Sequence, residues 1–236
     1  MATYLSLTNE LLRRLNEVTM DVLDFPNAKN IQALAKDAIN NAIREMLHYA
    51  QEWPFTLVTY TQTLTAGTGV YSFPTAAASV DWDSFYLKKS STYNNNPGKL
   101  KLITFDYYTE NRRPVDDNAG TGGYAPPVYV YQTQELKFGL SPLPAYAYEV
   151  EYKYWSFPDD LVLHSDVCII PDRFKNVIID GAMAYMMLFR SNEQSANIHL
   201  EKFDQGIRAM RRLLLDEPIS VQSTAITRSY VSLRVM

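Results

Sequence analysis

The sequence predicts an α+β fold: a helical bundle made from N- and C-terminal helices, an antiparallel β-rich domain inserted between them, and an extended C-terminal arm. Three observations predict it. Apolar residues recur every three to four positions near both ends of the chain. The middle of the chain switches to alternation with period two. The last stretch, Ile219 to Met236, is rich in strand-forming residues and has no helical stripe. The implied organisation is N-terminal helices over residues 1–54, the inserted β-rich domain over 55–157, a helical hairpin over 158–217 and the arm over 218–236. Neither helical pair can bury its stripe alone, so the two ends are expected to pack together.

The first helix is expected over residues 7–19, capped by Ser6 or Thr8, with Leu11, Leu12, Leu15 and Val18 on its apolar face. A second is expected from about Ala28 to Glu52, where Ile31, Leu34, Ala35, Ala38, Ile39, Ala42, Ile43, Met46, Leu47 and Ala50 keep the helical period. Pro54 ends it, and Trp53 and Phe55 are expected to plug the seam between helices and sheet. The segment TLVTYTQTL then alternates as a strand, and Val70 to Phe73 is expected to pair back on it across the Ala66–Gly69 turn.

Val80 to Lys89 reads as another strand, with Trp82, Phe85 and Leu87 as inward anchors. Lys99 to Ile103 is short and extended, and Phe105 to Arg112 makes one or two helical turns stopped by Pro114. Residues 116–127 form a mobile or ligand-facing loop. Three further strands follow at 128–131, 135–140 and 146–155, the last with Tyr148, Val150, Tyr152 and Tyr154 facing one way and Glu149, Glu151 and Lys153 the other. Such a register describes a sheet with one wet face.

Residues 170–217 then read as two helices joined by a turn at Ser191–Asn192. Pro171 sits at the first helical position, and Phe174, Val177, Ile178, Gly181, Ala182, Tyr185, Met186 and Phe189 form one stripe. Ile198, Phe203, Ile207, Met210, Leu213 and Leu214 form the next, and Pro218 stops it. Glycine inside a helix costs about 1 kcal/mol against alanine, so Gly181 implies close approach of another helix.

Composition narrows the function classes. The chain has 236 residues, 47% of them hydrophobic, enough for a substantial core. Its formal net charge of −4 lacks the basic footprint of a general nucleic-acid binder. No stretch reaches the roughly 18 apolar residues of a membrane span. The opening residues MATYLSLTNELLRRLNEV contain no apolar core after a basic start, so a secretory signal is not expected. The single cysteine, Cys168, excludes an internal disulfide and reads as a small buried hydrophobe. The 17 tyrosines, concentrated between residues 49 and 154, suit strands and interfaces.

Residues able to carry out chemistry are scattered. His48, His164 and His199 have no metal spacing, and no cofactor motif appears. His164-Ser165-Asp166 are neighbours in sequence and lack a nucleophile elbow. Gly120-Thr121-Gly122-Gly123 lacks the lysine and hydroxyl residue of a phosphate loop. The pairs Asp81 and Asp83, Asp116 and Asp117, and Asp159 and Asp160 read as solvated loop acids; a carboxylate pair for cell-wall glycan hydrolysis is the enzymatic alternative. A tyrosine-lined sheet that stacks bases or sugars is the binding alternative. No catalytic, cofactor-binding or metal site is assigned. Arg208, Arg211 and Arg212, with Lys202, form a basic strip that is either a solvated face at a helix C-terminus or a docking strip for an acidic partner.

Three stretches in order carry a resemblance. They are AINNAIREMLHYAQEWPFTLVT, then Leu140-Ser141-Pro142-Leu143-Pro144 leading into YEVEYKYW, then IIPDRFKNVIIDGAMAYMMLFR and its following helix. Together they resemble the head-to-tail adaptors of short-tailed phages, the tail tubular protein A group, and more distantly the connectors of long-tailed phages. The resemblance implies a structural virion protein of the phage neck, assembled in the host cytoplasm. Twelve copies would form a ring beneath the portal, with double-stranded DNA sliding through its channel without sequence-specific contacts and a tail nozzle, tail tubular protein B-like, docked below. It also implies that the C-terminal arm reaches the portal, through Val221, Ile226, Arg228, Tyr230, Val231 and Leu233.

Overall fold

A computed structural model describes residues 2–50, 52–118, 123–133, 135 and 137–215. Four long helices form one body: α1 (Tyr4–Arg14), α2 (Ile31–His48), α5 (Lys175–Phe189) and α6 (Glu193–Leu214). Between α2 and α5 the described residues form eight strands and a helical run over 105–118. The order is α+β, with helices from both ends sharing one core.

The boundaries of the helices move for local reasons. Thr3, rather than Ser6 or Thr8, caps α1, accepting the Ser6 amide at 3.2 Å, so the helix starts at Tyr4, three residues before the expected start at residue 7. Thr8 is buried inside it and its hydroxyl bonds back to the Tyr4 carbonyl. The helix ends at Arg14 because Asn16 takes a positive φ of 56°. Asn30, at φ 51°, delays α2 to Ile31. Pro171 lies just before a 3₁₀ turn, Asp172–Phe174, and α5 begins only at Lys175. Ser191, at φ 55°, turns α5 into α6, and Asn192 accepts the Ser195 amide at 3.1 Å as the new cap.

Leu7, Leu11 and Leu12 of α1, Ile39, Ala42 and Met46 of α2, Ile178, Ile179 and Ala182 of α5, and Phe203, Ile207 and Met210 of α6 share one buried cluster. At Gly181 three helices approach closely. A Cβ there would lie 2.7 Å from the Phe203 ring and 3.0 Å from the Ala42 methyl. Trp53 is buried in this same core and stacks on Phe55 at 5.6 Å. The pair therefore belongs to the helical side of the junction it was expected to plug.

The two chain ends are stitched as well as packed. Thr3 bridges Val167, the Tyr4 amide donates to the Asp166 carbonyl at 2.8 Å, and the Cys168 amide donates to Ala2 at 3.0 Å. Asn40 fastens the same segment to α2. Its amide donates to the Leu161 carbonyl at 3.0 Å while its oxygen accepts the Leu161 N–H at 3.2 Å.

The β region is two sheets of four strands rather than one. The first has the order β1 (Leu57–Thr63), β8 (Glu149–Ser156), β3 (Ala77–Leu87) and β4 (Gly98–Lys99). The second has the order β2 (Val70–Tyr71), β7 (Phe138–Ser141), β6 (Tyr129–Gln132) and β5 (Lys101–Leu102). All pairs are antiparallel except β5 with β6.

The expected β1–β2 hairpin does not form; β2 pairs with β7 in the other sheet. The chain changes sheet at the turn after β1, where Gly67 has φ 75° and the Tyr71 hydroxyl bonds backbone groups of Thr65 and Thr68. That hydroxyl satisfies groups which a two-residue hairpin would have paired by itself. A second crossing occurs at buried Leu100, which splits the expected 99–103 strand between the sheets.

Tyr148, Val150, Tyr152 and Tyr154 do share the inner face, with Phe85, Leu87, Phe138 and Leu140 opposite or beside them. Trp82 is only half-buried, because the β3–β8 register shifts between Asp81 and Tyr86.

The helical run does not stop at Pro114. It comprises α3 (Phe105–Tyr107), a π turn (Tyr108–Arg112) and α4 (Arg113–Asn118). The wider π turn places Pro114 second in a new α segment, where its missing N–H costs nothing.

Candidate interaction surfaces

The chemistry-bearing residues stay apart in the fold. His48 lies against the Phe157 ring at 4.9 Å. His199 Nδ1 meets Asp180 Oδ1 at 3.3 Å, and Arg14 reaches the same oxygen at 3.6 Å. In the 164–166 segment, Asp166 accepts the amides of Val162 and Leu163, both at 2.7 Å, and these bonds hold its carboxyl below the usual range. It is thus a turn-former committed to backbone. Among the described residues no group of three or more His, Cys, Asp or Glu is placed to hold a metal ion. Cys168 is buried, and desolvation pushes its thiol up to about 11, which makes it inert.

The acid pairs are also occupied or separated. Asp160 bonds Arg44, and Asp83 pairs with Lys99 at 3.2 Å. The structure corrects the loop placement of Asp116 and Asp117, because both lie on α4, while Asp117 stays solvated beside Arg113. Asp116 is buried, and burial raises its carboxyl pKa against a smaller opposing pull from the Ser141 hydroxyl. Neighbours on a helix point apart, so this pair does not flank a common bond. The tyrosine-platform reading needed an open aromatic face. Tyr152 is instead 0% exposed, sandwiched against Phe85 at 4.8 Å. Residues 120–122 of the Gly-rich stretch lie outside the described residues, as does the whole arm with Val221, Ile226, Arg228, Tyr230, Val231 and Leu233.

Packing faces are what the surface offers. The α5 stripe continues past the core. Tyr185, Leu188 and Phe189 of α5 remain exposed, the last two at 57% and 61%, together with Ile198 and Leu200 of α6. Tyr185, Phe189 and Ile198 were expected in the bundle's own stripes. They lie outside because Ile178, Ile179, Ala182 and Met183 already fill the contact with α1 and α2. A groove of about 200 Å³ runs here, lined by Gly181, Ala184, Tyr185, Leu188, Ala196 and Leu200. At its rim the Tyr185 hydroxyl donates to Glu45 at 2.8 Å.

In the connection between α1 and α2, Val18 is 78% and Leu23 85% exposed, and Glu17 beside Val18 pairs with Arg190. Arg208 and Arg212 are exposed one turn apart on α6, whereas Arg211 is half-buried beside them. Leu213 is exposed too, and was expected in the core. The apolar outer helix faces had a visible sequence signal: α5 is apolar nearly all round, which marks a helix covered on more than one side.

This chain leaves apolar helix faces exposed among its described residues. It belongs to the SU10 adaptor protein family, whose model matches residues 2–228. It is therefore a structural protein of the bacteriophage virion, a head-to-tail adaptor. No curated protein matches it. Among the described residues no helix is long and apolar enough to cross a membrane.

Proposed function

We propose that this adaptor forms a ring, of twelve copies, that joins the portal to the tail nozzle in the virion neck and lets double-stranded DNA pass through its channel. The observation that carries this reading is the family match over residues 2–228, which extends into the arm. The four segments act as separate working parts. Residues 1–54 and 158–217 make the bundle that stands beside its neighbours, 55–157 carry the outer β domain, and 218–236 reach the portal. The exposed face of α5 and α6 supplies the lateral contact, since Leu188, Phe189 and Leu200 are left uncovered among the described residues. Val221, Ile226, Arg228, Tyr230, Val231 and Leu233 engage the portal, and Arg208, Arg211 and Arg212 dock an acidic partner. No covalent chemistry is assigned to the chain. A mildly acidic protein suits a DNA channel, because basic linings hold phosphates by counterion release. Assembly takes place in the host cytoplasm.

The test is electron microscopy of the protein mixed with its portal. Rings bound to the portal are expected for the full chain. Removal of residues 219–236 is expected to leave the bundle and sandwich folded and to abolish portal attachment. Normal portal binding by that shortened chain would refute the arm's role.

A further inference from the structure

The first sheet ends in an unusual edge. β1 pairs with β8 through seven consecutive residues without a bulge, and nothing among the described residues pairs with its other side. Leu64 donates to the Tyr148 carbonyl at 2.8 Å in the same register. By the antiparallel alternation, Val58, Tyr60 and Gln62 therefore bond β8, while Thr59, Thr61 and Thr63 turn their N–H groups outward.

Natural edges are usually blunted by lysine, proline, bulges or shortness. LVTYTQT has no charge, no proline and no bulge. The other sheet ends, β4, β2 and β5, are each two residues long, and β4 and β5 each carry a lysine. Tyr60 stays 36% exposed at the rim of the sandwich, beside Tyr152 at 5.6 Å and Tyr154 at 6.3 Å.

We propose that the free edge of β1 is a strand-acceptor site and that its occupant is residues 229–235 of this chain's own C-terminal segment. The sequence there, SYVSLRV, alternates: Val231, Leu233 and Val235 on one side, Tyr230, Ser232 and Arg234 on the other. An added strand of this pattern lays its apolar row beside Tyr60 and extends the sandwich core. The chain has the reach to get there, since Tyr49 lies eight residues before β1, at most about 28 Å of extended chain. The Tyr49 hydroxyl bonds Asp204 at 2.7 Å, which ties α6 to the segment leading into β1. From Asp204 to the end of α6 at Leu214 is about 15 Å of helix. Residues 216–228, fully extended, span about 43 Å.

The site goes beyond portal attachment. It holds the arm of a free subunit, and a portal surface must displace that strand to claim it.

Hydrogen exchange followed residue by residue on the full-length protein tests this. In the parent chain the amides of Thr59, Thr61 and Thr63 are expected to exchange more slowly, by about tenfold or more, than in a full-length variant carrying Val231→Pro and Ser232→Pro. Two consecutive prolines remove a donor from each side of the added strand. Thr61→Pro is the reciprocal variant. Its N–H points away from β8, so the β1–β8 ladder stays intact while the arm amides lose protection. Equal exchange at Thr59, Thr61 and Thr63 in parent and double-proline variant overturns the proposal. Protection that appears only as protein concentration rises overturns it in favour of a strand from a second copy. Neither result bears on whether the arm binds the portal, which the deletion experiment reads separately.

Discussion

At residue scale the bundle's tightest tolerance is Gly181. Its missing side chain lets the Phe203 ring and Ala42 approach at once, so even a small addition must displace an aromatic ring. Gly181→Val is expected to destabilise the fold by about 1–3 kcal/mol, read as a lower urea midpoint with unchanged slope. Asp116 gives a signed pH dependence. Its folded pKa is raised, mainly by burial, so its contribution favours folding in acid and is lost as pH rises through the folded value. The ionised group therefore costs stability near neutrality. Asp116→Asn is expected to raise the urea midpoint at about pH 7, and the gain is expected to shrink toward about pH 3, below the ordinary carboxyl value. A constant difference across that range would contradict the burial argument.

At element scale, the 157–170 segment works as a strap between the sandwich and α5, and Asn40 of α2 is its buckle. One side chain satisfies both backbone groups of Leu161 and also reaches the Tyr4 hydroxyl at 3.2 Å. Asn40→Ala leaves those groups without their partner and is expected to cost about 1–3 kcal/mol, with hydrogen exchange accelerating first around Leu161. The α5–α6 face behaves differently. Leu188 touches solvent in the single chain, so Leu188→Asp is expected to leave the melting temperature nearly unchanged. The same substitution is expected to reduce ring formation sharply, seen by size-exclusion chromatography or microscopy. A stable ring from Leu188→Asp protein would remove this face from the lateral contact.

At the scale of the whole molecule, helical periodicity and period-two alternation were enough to place the helices, most strands and the union of the two ends. Gly181 announced its helix contact as a costly residue with no local purpose. What stayed hidden depends on partners distant in sequence. Nothing local in VYSF distinguishes pairing with β1 from pairing with β7, since both offer a free edge. The left-handed residues Asn16, Asn30 and Ser191, which set helix ends, are ordinary polar residues on the page. The outward face of α5 was readable as excess hydrophobicity, yet period alone assigned Tyr185 and Phe189 to the inner stripe. The bare edge of β1 was invisible until β2 was seen to leave for the other sheet.

The stitch between Thr3 and Val167 has a consequence for how the protein is made. The strand pairings that build the sandwich join residues within 57–156, so it can close before the last helices are made. The helical core cannot, because α1 and α2 wait for partners translated more than a hundred residues later. A chain truncated after residue 160 and released is expected to show a protease-resistant sandwich and digestible N-terminal helices. The apolar faces that a ring would use thus come into being last, after the outer domain is already in place, which guards growing chains on one message against sticking to one another.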